Sequence, residues 1–534
     1  MNRYFPRIGR PRIDKLKIYG PIVRVPFRPR LHQINTGRKE HGQEKGWLYL
    51  VFTLYAVLAF SYSLLMPLWE APDETAHYLV VLYLAREGRM PTPAESYEAI
   101  QPPLYYWLAA KFFQQLDGIN PRLIDPYRPA LTPRSDFTRY AWTAENYRVI
   151  WGAYFLRWLS IPLGGLALAF IYKGARRFTA HLGRPGAVIA LATVTLVGLT
   201  PQFLHNSSAL SNDPAANAAG AGLFWLLSTV ALEPPGGRRL LLITAAALAF
   251  PVLIKLTILP MSLTLLIATF WQLRHVRPAR WPWLLAGGAG LGLLGIGGLV
   301  ALAPGSAGFL WRTFWWRVSY VRPDLFEVWP LWEIVKFYSA SYWGQVAWKT
   351  AGLPRIIVLV LAGLMALGWL ASLRLLWPQT SLSQFWRRLA LLLLLFLAVL
   401  GIASYFNAWW SISWTIIAFF VSITAVAWWQ HHQLDPAPVL PVNRYAWGVV
   451  WLAAALALLI IVKNALTTPQ YQGRFLFPSL GALTLLTTAG WYALLPPRAA
   501  VYLPHLILGI MLCLNLVLWL GTIIPIFYQP FLGS

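Results

Sequence analysis

Charge is scarce in this chain. Asp, Glu, Lys and Arg make up 12% of its 534 residues, against roughly 25% in soluble proteins. That leaves too few charges to cover a water-facing surface and excludes an ordinary soluble globule. Cysteine is scarcer still: Cys513 stands alone, which excludes an internal disulfide and any cysteine-based metal site. No clear internal repeat is visible and polar residues do not gather mid-span, as both tend to in transporters.

What fills the chain is apolar: 57% of residues are hydrophobic, in continuous rather than alternating runs. Many approach the roughly 20 residues that a helix needs to cross hydrocarbon. Continuous runs predict an all-α polytopic membrane protein and not a β-barrel. Thirteen candidates lie near 47–66, 147–172, 186–204, 212–231, 239–254, 256–272, 281–303, 353–376, 388–405, 411–430, 445–463, 474–494 and 501–523. The fifth and sixth are separated only by Lys255, so the expectation is eleven to thirteen spans.

The charges that are present are placed unevenly. Residues 1–46 hold twelve Lys/Arg, among them Arg10, Arg12, Lys15 and Arg28, against three acids. This Pro-rich stretch predicts a largely irregular, basic cytoplasmic tail that touches anionic lipid, worth about 1 kcal/mol per basic residue. It is too long to be the charged region of a cleaved signal peptide. The net charge of +25 therefore points to membrane topology and not to nucleic acid. With the tail inside, each loop placed inside by the threading is basic: Lys173/Arg176/Arg177/Arg184, Arg238/Arg239, Arg274/Arg277/Arg280, Arg374/Arg387/Arg388, Arg444 and Arg498. This alternation obeys the positive-inside rule and favours an odd count with an outside C-terminus.

The acids mark the opposite face. Ten of nineteen fall in residues 67–146, the first outside loop, and three (Asp324, Glu327, Glu333) in 304–352, the second. Both loops are aromatic, the second carrying Trp311, Trp315, Trp316, Trp329, Trp332, Trp343 and Trp348. Such composition suits helices lying at the membrane interface. The sequence predicts a transmembrane domain over 47–534 with no appended soluble domain.

Several residues in these segments have chemistry. Asp73, Glu74 and His77 follow the first span in P-D-E-T-A-H; they read as an acidic helix start after Pro72 or as a catalytic carboxylate at the boundary. Glu74 and His77, three apart, also match a Glu-x-x-His metal half-site. No second such pair exists, and Asp213 or His205 would have to complete it. Gln101, Tyr105 and Tyr106 sit in Q-P-P-L-Y-Y, where the rings are interfacial anchors or stack on a sugar. Asp213 in S-N-D-P reads as an N-cap or as a costly, functional acid near membrane depth. Lys255 and Arg474 either snorkel to water or offer cations to a phosphate, for which the guanidinium fork of Arg474 is well shaped. Gln472 lies beside it.

Together, P-D-E-T-A-H (72–77), Q-P-P-L-Y-Y (101–106), S-N-D-P (211–214), Q-G-R-F-L-F-P (472–478) and, more weakly, S-Y-W-G-Q-V-A-W (341–348) resemble the GT-C superfamily. These are multi-spanning glycosyltransferases that use polyprenyl-phosphate sugars. The likeness is to the bacterial branch containing lipid A aminoarabinose transferase and relatives of protein O-mannosyltransferase. The resemblance implies a GT-C-like bundle whose two outside loops form interfacial helices, in the cytoplasmic (inner) membrane, with its active site on the extracytoplasmic face. It implies an inverting transfer in which Asp73, with Glu74 beside it, is the base. Arg474 and Lys255 bind the donor phosphate, and His77, Gln101, Tyr105, Asp213 and Gln472 contact substrate. A divalent metal is used by some members and is not required by these motifs. The lack of a soluble C-terminal domain favours a lipid-linked or small acceptor. The competing readings are a transporter or lipid flippase and an inactive GT-C-like assembly subunit.

Overall fold

The computed structural model describes residues 31–115, 147–233, 237–273, 281–302, 331–346, 351–373, 444–467 and 472–528. The chain divides into two units, Met1–Gly46 and Trp47–Ser534. Of the first, only 31–46 is described, and it is helical. The helical path thus begins sixteen residues before the apolar run at 47 that the sequence marked as its start. Gln33, Lys39, Glu40 and Lys45 are good helix formers, so the basic composition there does not imply irregular backbone.

Among the described residues the architecture is all-α. Helix α1 (Leu31–Leu65) leads into a tight corner and α2 (Glu74–Glu87), then α3 (Leu104–Gln114), α4 (Tyr147–Phe178), α5 (Arg184–Leu199), α6 (Pro201–Ser207) and α7 (Asp213–Leu232). Helices α8 (Gly237–Leu253), α9 (Leu259–Leu273), α10 (Trp281–Leu302), α11 (Leu331–Trp343) and α12 (Arg355–Ser372) follow. Last come α13 (Arg444–Thr467), α14 (Leu480–Leu494) and α15 (Leu503–Leu518). The one described sheet is a two-residue antiparallel pair, Gln345–Val346 with Ala351–Gly352, in register Gln345 to Gly352.

Seven of these segments are long and apolar enough to cross a membrane: Gly42–Leu65, Ile150–Phe178, Asp213–Leu232, Leu256–Leu273, Arg355–Ser372, Arg444–Val462 and Leu503–Phe527. The chain is a polytopic membrane protein. The pair α5 and α6 would make an eighth span, bent by 61° where Pro201 removes a helical donor. Of the thirteen apolar runs, 388–405 and 411–430 lie outside the described residues, and the described part of each of the others is mostly helical. Some are shorter than the runs suggested, because the run at 474–494 opens as a tight 3₁₀ turn over Gly473–Ser479 before α14 begins.

Two apolar cores hold the fold. The larger joins α1, α4, α5, α7, α9, α13, α14 and α15 around residues such as Phe203, Phe224, Leu483 and the fully buried Trp447. The smaller packs α2 and α3 onto the N-terminal half of α4 through Tyr78, Val81, Tyr106, Phe113, Ile150 and Leu156. The first long loop is therefore folded onto its own core over 74–114; its remainder, 116–146, lies outside the described residues. Of the second long loop only 331–346 and 351–352 are described, and there Trp343 is 1% exposed and edge-on to Tyr342. That tryptophan is a core residue and not an interfacial anchor.

Candidate active site

Four segments converge on one buried polar cluster. The first is the corner between α1 and α2. Asp73 occupies the N-cap position of α2 with φ 65° and ψ 4°, yet its side chain makes no cap bond. Its carboxylate points away from the helix: Tyr97 Oη donates to Oδ1 at 2.9 Å and Arg474 Nη2 donates to Oδ2 at 2.8 Å.

Arg474 comes from the far end of the chain, in the 3₁₀ turn that precedes α14. That turn is packed backbone to backbone. A Cβ at Gly473 would collide with the Tyr338 carbonyl and the Tyr342 amide, and one at Gly220 on α7 would collide with Pro478. Ser341 Oγ accepts the Gly473 amide at 2.6 Å, and Arg474 Nε donates to Gln472 Oε1. The guanidinium is thereby aimed, with Nη1 3.3 Å from Asp213 Oδ2.

The third segment starts α7. The N-cap is Asn212, so Asp213 is the first helical residue, followed by Pro214. The sequence reading of Asp213 as the cap is off by one, which frees its carboxylate for the cluster. The fourth is the break between α8 and α9. Lys255 is extended there, and its ammonium donates to Asn212 Oδ1 at 2.8 Å and Asp213 Oδ1 at 2.5 Å. The Asn212 amide also reaches Gln101 Oε1 at 3.5 Å. Signs alternate along the resulting row: Asp73, Arg474, Asp213, Lys255. Their side chains are 18%, 11%, 6% and 8% exposed, so the charges are both paired and shielded from bulk water, the arrangement in which ion pairs are retained.

A second shelf lies behind Asp73. His77 Nδ1 and the Tyr106 hydroxyl share a 2.7 Å hydrogen bond, with the rings stacked. Glu98 Oε2 stands 3.9 Å from the same nitrogen and has no hydrogen-bond partner among the described residues. Burial, then Lys255, pushes the imidazole down to about 3, so His77 is neutral. Burial, then the charge on Asp73, pushes the Glu98 carboxyl up to about 7. Asp73 goes the other way: burial would raise it, but the charge and hydrogen bond of Arg474 and the hydrogen bond of Tyr97 outweigh burial and hold the carboxyl below its ordinary value.

The structure thus brings together Asp73, Arg474, Asp213, Lys255, Gln472 and Gln101 of the residues marked in the sequence, with His77 one layer behind. It separates two others. Glu74, 1% exposed, turns from Asp73 into a bidentate pair with Arg157, at 2.6 Å for both bonds. Glu74 is wholly occupied there, so it is not available as a second base. Tyr105 is 3% exposed and edge-on to Tyr106 in the smaller core, which removes it as a sugar-stacking surface. The Glu-x-x-His metal half-site is not formed either, since Glu74 faces Arg157 while His77 faces Tyr106. Among the described residues no group of three or more His, Cys, Asp or Glu stands close enough to hold a metal.

Sequence reasoning missed Tyr97, Glu98, Asn212 and Arg157. A signal existed for Arg157: a lone arginine inside an apolar span needs a partner. Tyr97 and Glu98 gave none, because nothing in a loop sequence says which side chains fold back on the helix start.

No family model matches the chain, and no curated protein matches it. A solved structure, ArnT from Cupriavidus metallidurans bound to undecaprenyl phosphate, matches over 83% of this chain and 78% of that one. The identity is 16% and the TM-score 0.36.

Proposed function

We propose that the protein is a GT-C-type inverting glycosyltransferase that moves a sugar from a polyprenyl-phosphate donor to an acceptor hydroxyl at the outer face of the cytoplasmic membrane. The observation that carries this reading is the row Asp73–Arg474–Asp213–Lys255. In it the Asp73 carboxylate pairs with Arg474, and Arg474 and Lys255 both pair with Asp213, at the ends of apolar helices; this supports reading Asp73 as a base beside two cations suited to phosphate. The sequence motifs that resemble the superfamily supply most of the same residues.

In this scheme the lipid tail stays in hydrocarbon and the phosphate meets Arg474 and Lys255. Asp73 takes the acceptor proton as the acceptor oxygen forms its bond to the anomeric carbon, and the bond to the phosphate oxygen breaks on the opposite face. The electron pair leaves on phosphate, where the two cations meet the growing charge. Asp73 is ionised at neutral pH, since its carboxyl is held low. The reading places Gln101, Asn212 and Gln472 at the rim as hydrogen-bonding groups for donor or acceptor. Charge alternation supports the outer face: Asp73 falls in the first outside loop, Lys255 between two runs, and Asp213 and Arg474 at the ends of runs that the threading puts opposite the basic loops.

Binding tests this directly. Undecaprenyl phosphate in nanodiscs should bind wild type and lose about ten- to a hundredfold in affinity to Arg474→Gln, as expected for removal of a bidentate phosphate partner. Equal binding by the two proteins would place the phosphate elsewhere and remove the main support for the donor class.

A further inference from the structure

The corner that presents Asp73 is strained. Trp69, at φ 72°, and Asp73, at φ 65°, are the non-glycine residues with left-handed backbone among the described residues. Such conformations persist only where their surroundings over-determine them. Asp73 is held at its carboxylate by Tyr97 and Arg474, and one buried ion pair ties the backbone of the corner from behind.

Arg157, on α4, is 1% exposed. Its Nη1 donates to the carbonyls of Ser63 (2.8 Å) and Met66 (2.7 Å) at the end of α1, and Nη2 to that of Pro67 (2.9 Å). Nε and Nη2 donate to the two oxygens of Glu74. A guanidinium has five N–H donors, and all are used. Glu74 in turn accepts the Trp69 amide at 2.8 Å on Oε2 and the Leu210 amide at 3.1 Å on Oε1. Through these two residues the end of α1, both strained positions, the start of α2 and the segment leading to Asp213 are tied to one point.

We infer that Arg157 and Glu74 are positioning residues: their ion pair holds Asp73 in its left-handed conformation and so keeps its carboxylate on Arg474 and Tyr97. The Leu210 amide extends the same hold to the segment carrying Asn212 and Asp213. Neither residue touches the site; each acts on it through the backbone. The inference rests on the transferase reading above and deepens it by naming what aims the base.

The test compares wild type, Glu74→Gln and Arg157→Lys by turnover of a polyprenyl-phosphate sugar per monodisperse molecule across pH. Glutamine keeps the shape of Glu74, and lysine keeps the charge of Arg157 without its fork. Glu74→Gln should lower kcat about ten- to a hundredfold, the scale of an ångström-sized misplacement, while KM for the donor changes less than about threefold. Arg157→Lys should fall in the same direction. In both, the acid limb of the profile should move toward neutral pH, because Asp73 slackens from Arg474 while His77, Tyr97 and Glu98 still face it. Wild-type turnover with unchanged kcat and acid limb in both variants would overturn the inference alone. So would a lowered kcat with an unmoved limb, which a purely structural pair would give. A wild type that consumes no polyprenyl-phosphate sugar would overturn the functional reading on which the inference rests.

Discussion

Asp73 and Arg474 lie 401 residues apart in the chain, and Arg474 Nη2 donates to Asp73 Oδ2 at 2.8 Å. The proposed base and the proposed phosphate ligand thus neutralise each other before any donor arrives. A phosphate that takes Arg474 must pull it from Asp73, and in doing so releases the carboxylate to accept a proton.

This competition predicts opposite effects of one substitution. Asp73→Asn should abolish transfer, by about a hundredfold or more as for loss of a general base. It should also bind undecaprenyl phosphate about tenfold more tightly, a gain near 1.4 kcal/mol. Isothermal titration in nanodiscs reads the second effect; weaker binding by the variant would show that Asp73 does not compete for Arg474.

Lys255 and Asp213 predict a rescue. Lys255→Met leaves the buried Asp213 carboxylate with Arg474 alone and strands Asn212, and should destabilise the protein by about 3 kcal/mol. Adding Asp213→Asn should restore much of that loss, since the orphaned charge is then gone. Thermal denaturation in detergent of the single and double variants checks it, and additive losses would mean that the pair is not coupled.

Glu98 carries a pH signature. Its carboxyl lies near 7 in the folded protein, above the ordinary value near 4.3. The folded state therefore binds the extra proton, and the stability linked to this group is fully present below about pH 4 and is lost as pH rises through 7. Glu98→Gln should flatten that decline, by on the order of 2–3 kcal/mol between pH 5 and pH 8. Melting temperatures of wild type and variant across this range decide it; parallel curves would mean that Glu98 is ionised throughout.

Acidification should affect Asp73 only at low pH. Its carboxyl is held below the ordinary range, so the base stays ionised down to about pH 4. The acid limb of kcat should lie below that point in wild type and rise in Arg474→Gln, where the partner that holds it down is missing. A limb near neutral in wild type would assign the base elsewhere, with Glu98 the first group to examine.

Much of the site was legible because its residues are anomalies of placement. An Asp before Pro214, a Lys between two apolar runs and an Arg opening a third stand out in a chain so poor in charge. The apolar runs marked the helices for the same reason. Partners were less legible. Glu74 and Asp73 are adjacent and chemically alike, and only the left-handed turn at Asp73 sends one to Arg474 and the other to Arg157. Asp213 looked like a cap because an acid before proline usually is one; the helix starts one residue earlier than that pattern suggests. Tyr105 and Trp343 looked like surface aromatics, and both are buried, since a ring in a loop gives no sign of which core it will enter. The basic stretch 31–46 looked irregular, although its side chains favour helix.

The central claim is that Asp73 is the base of a polyprenyl-phosphate sugar transferase. The most direct test is release of sugar from a panel of polyprenyl-phosphate sugars in liposomes, with wild type beside Asp73→Asn. The account predicts that wild type consumes at least one donor and that Asp73→Asn, still able to bind undecaprenyl phosphate, consumes none. Turnover that survives in Asp73→Asn, or a wild type that binds the lipid phosphate but turns over no donor, would contradict it.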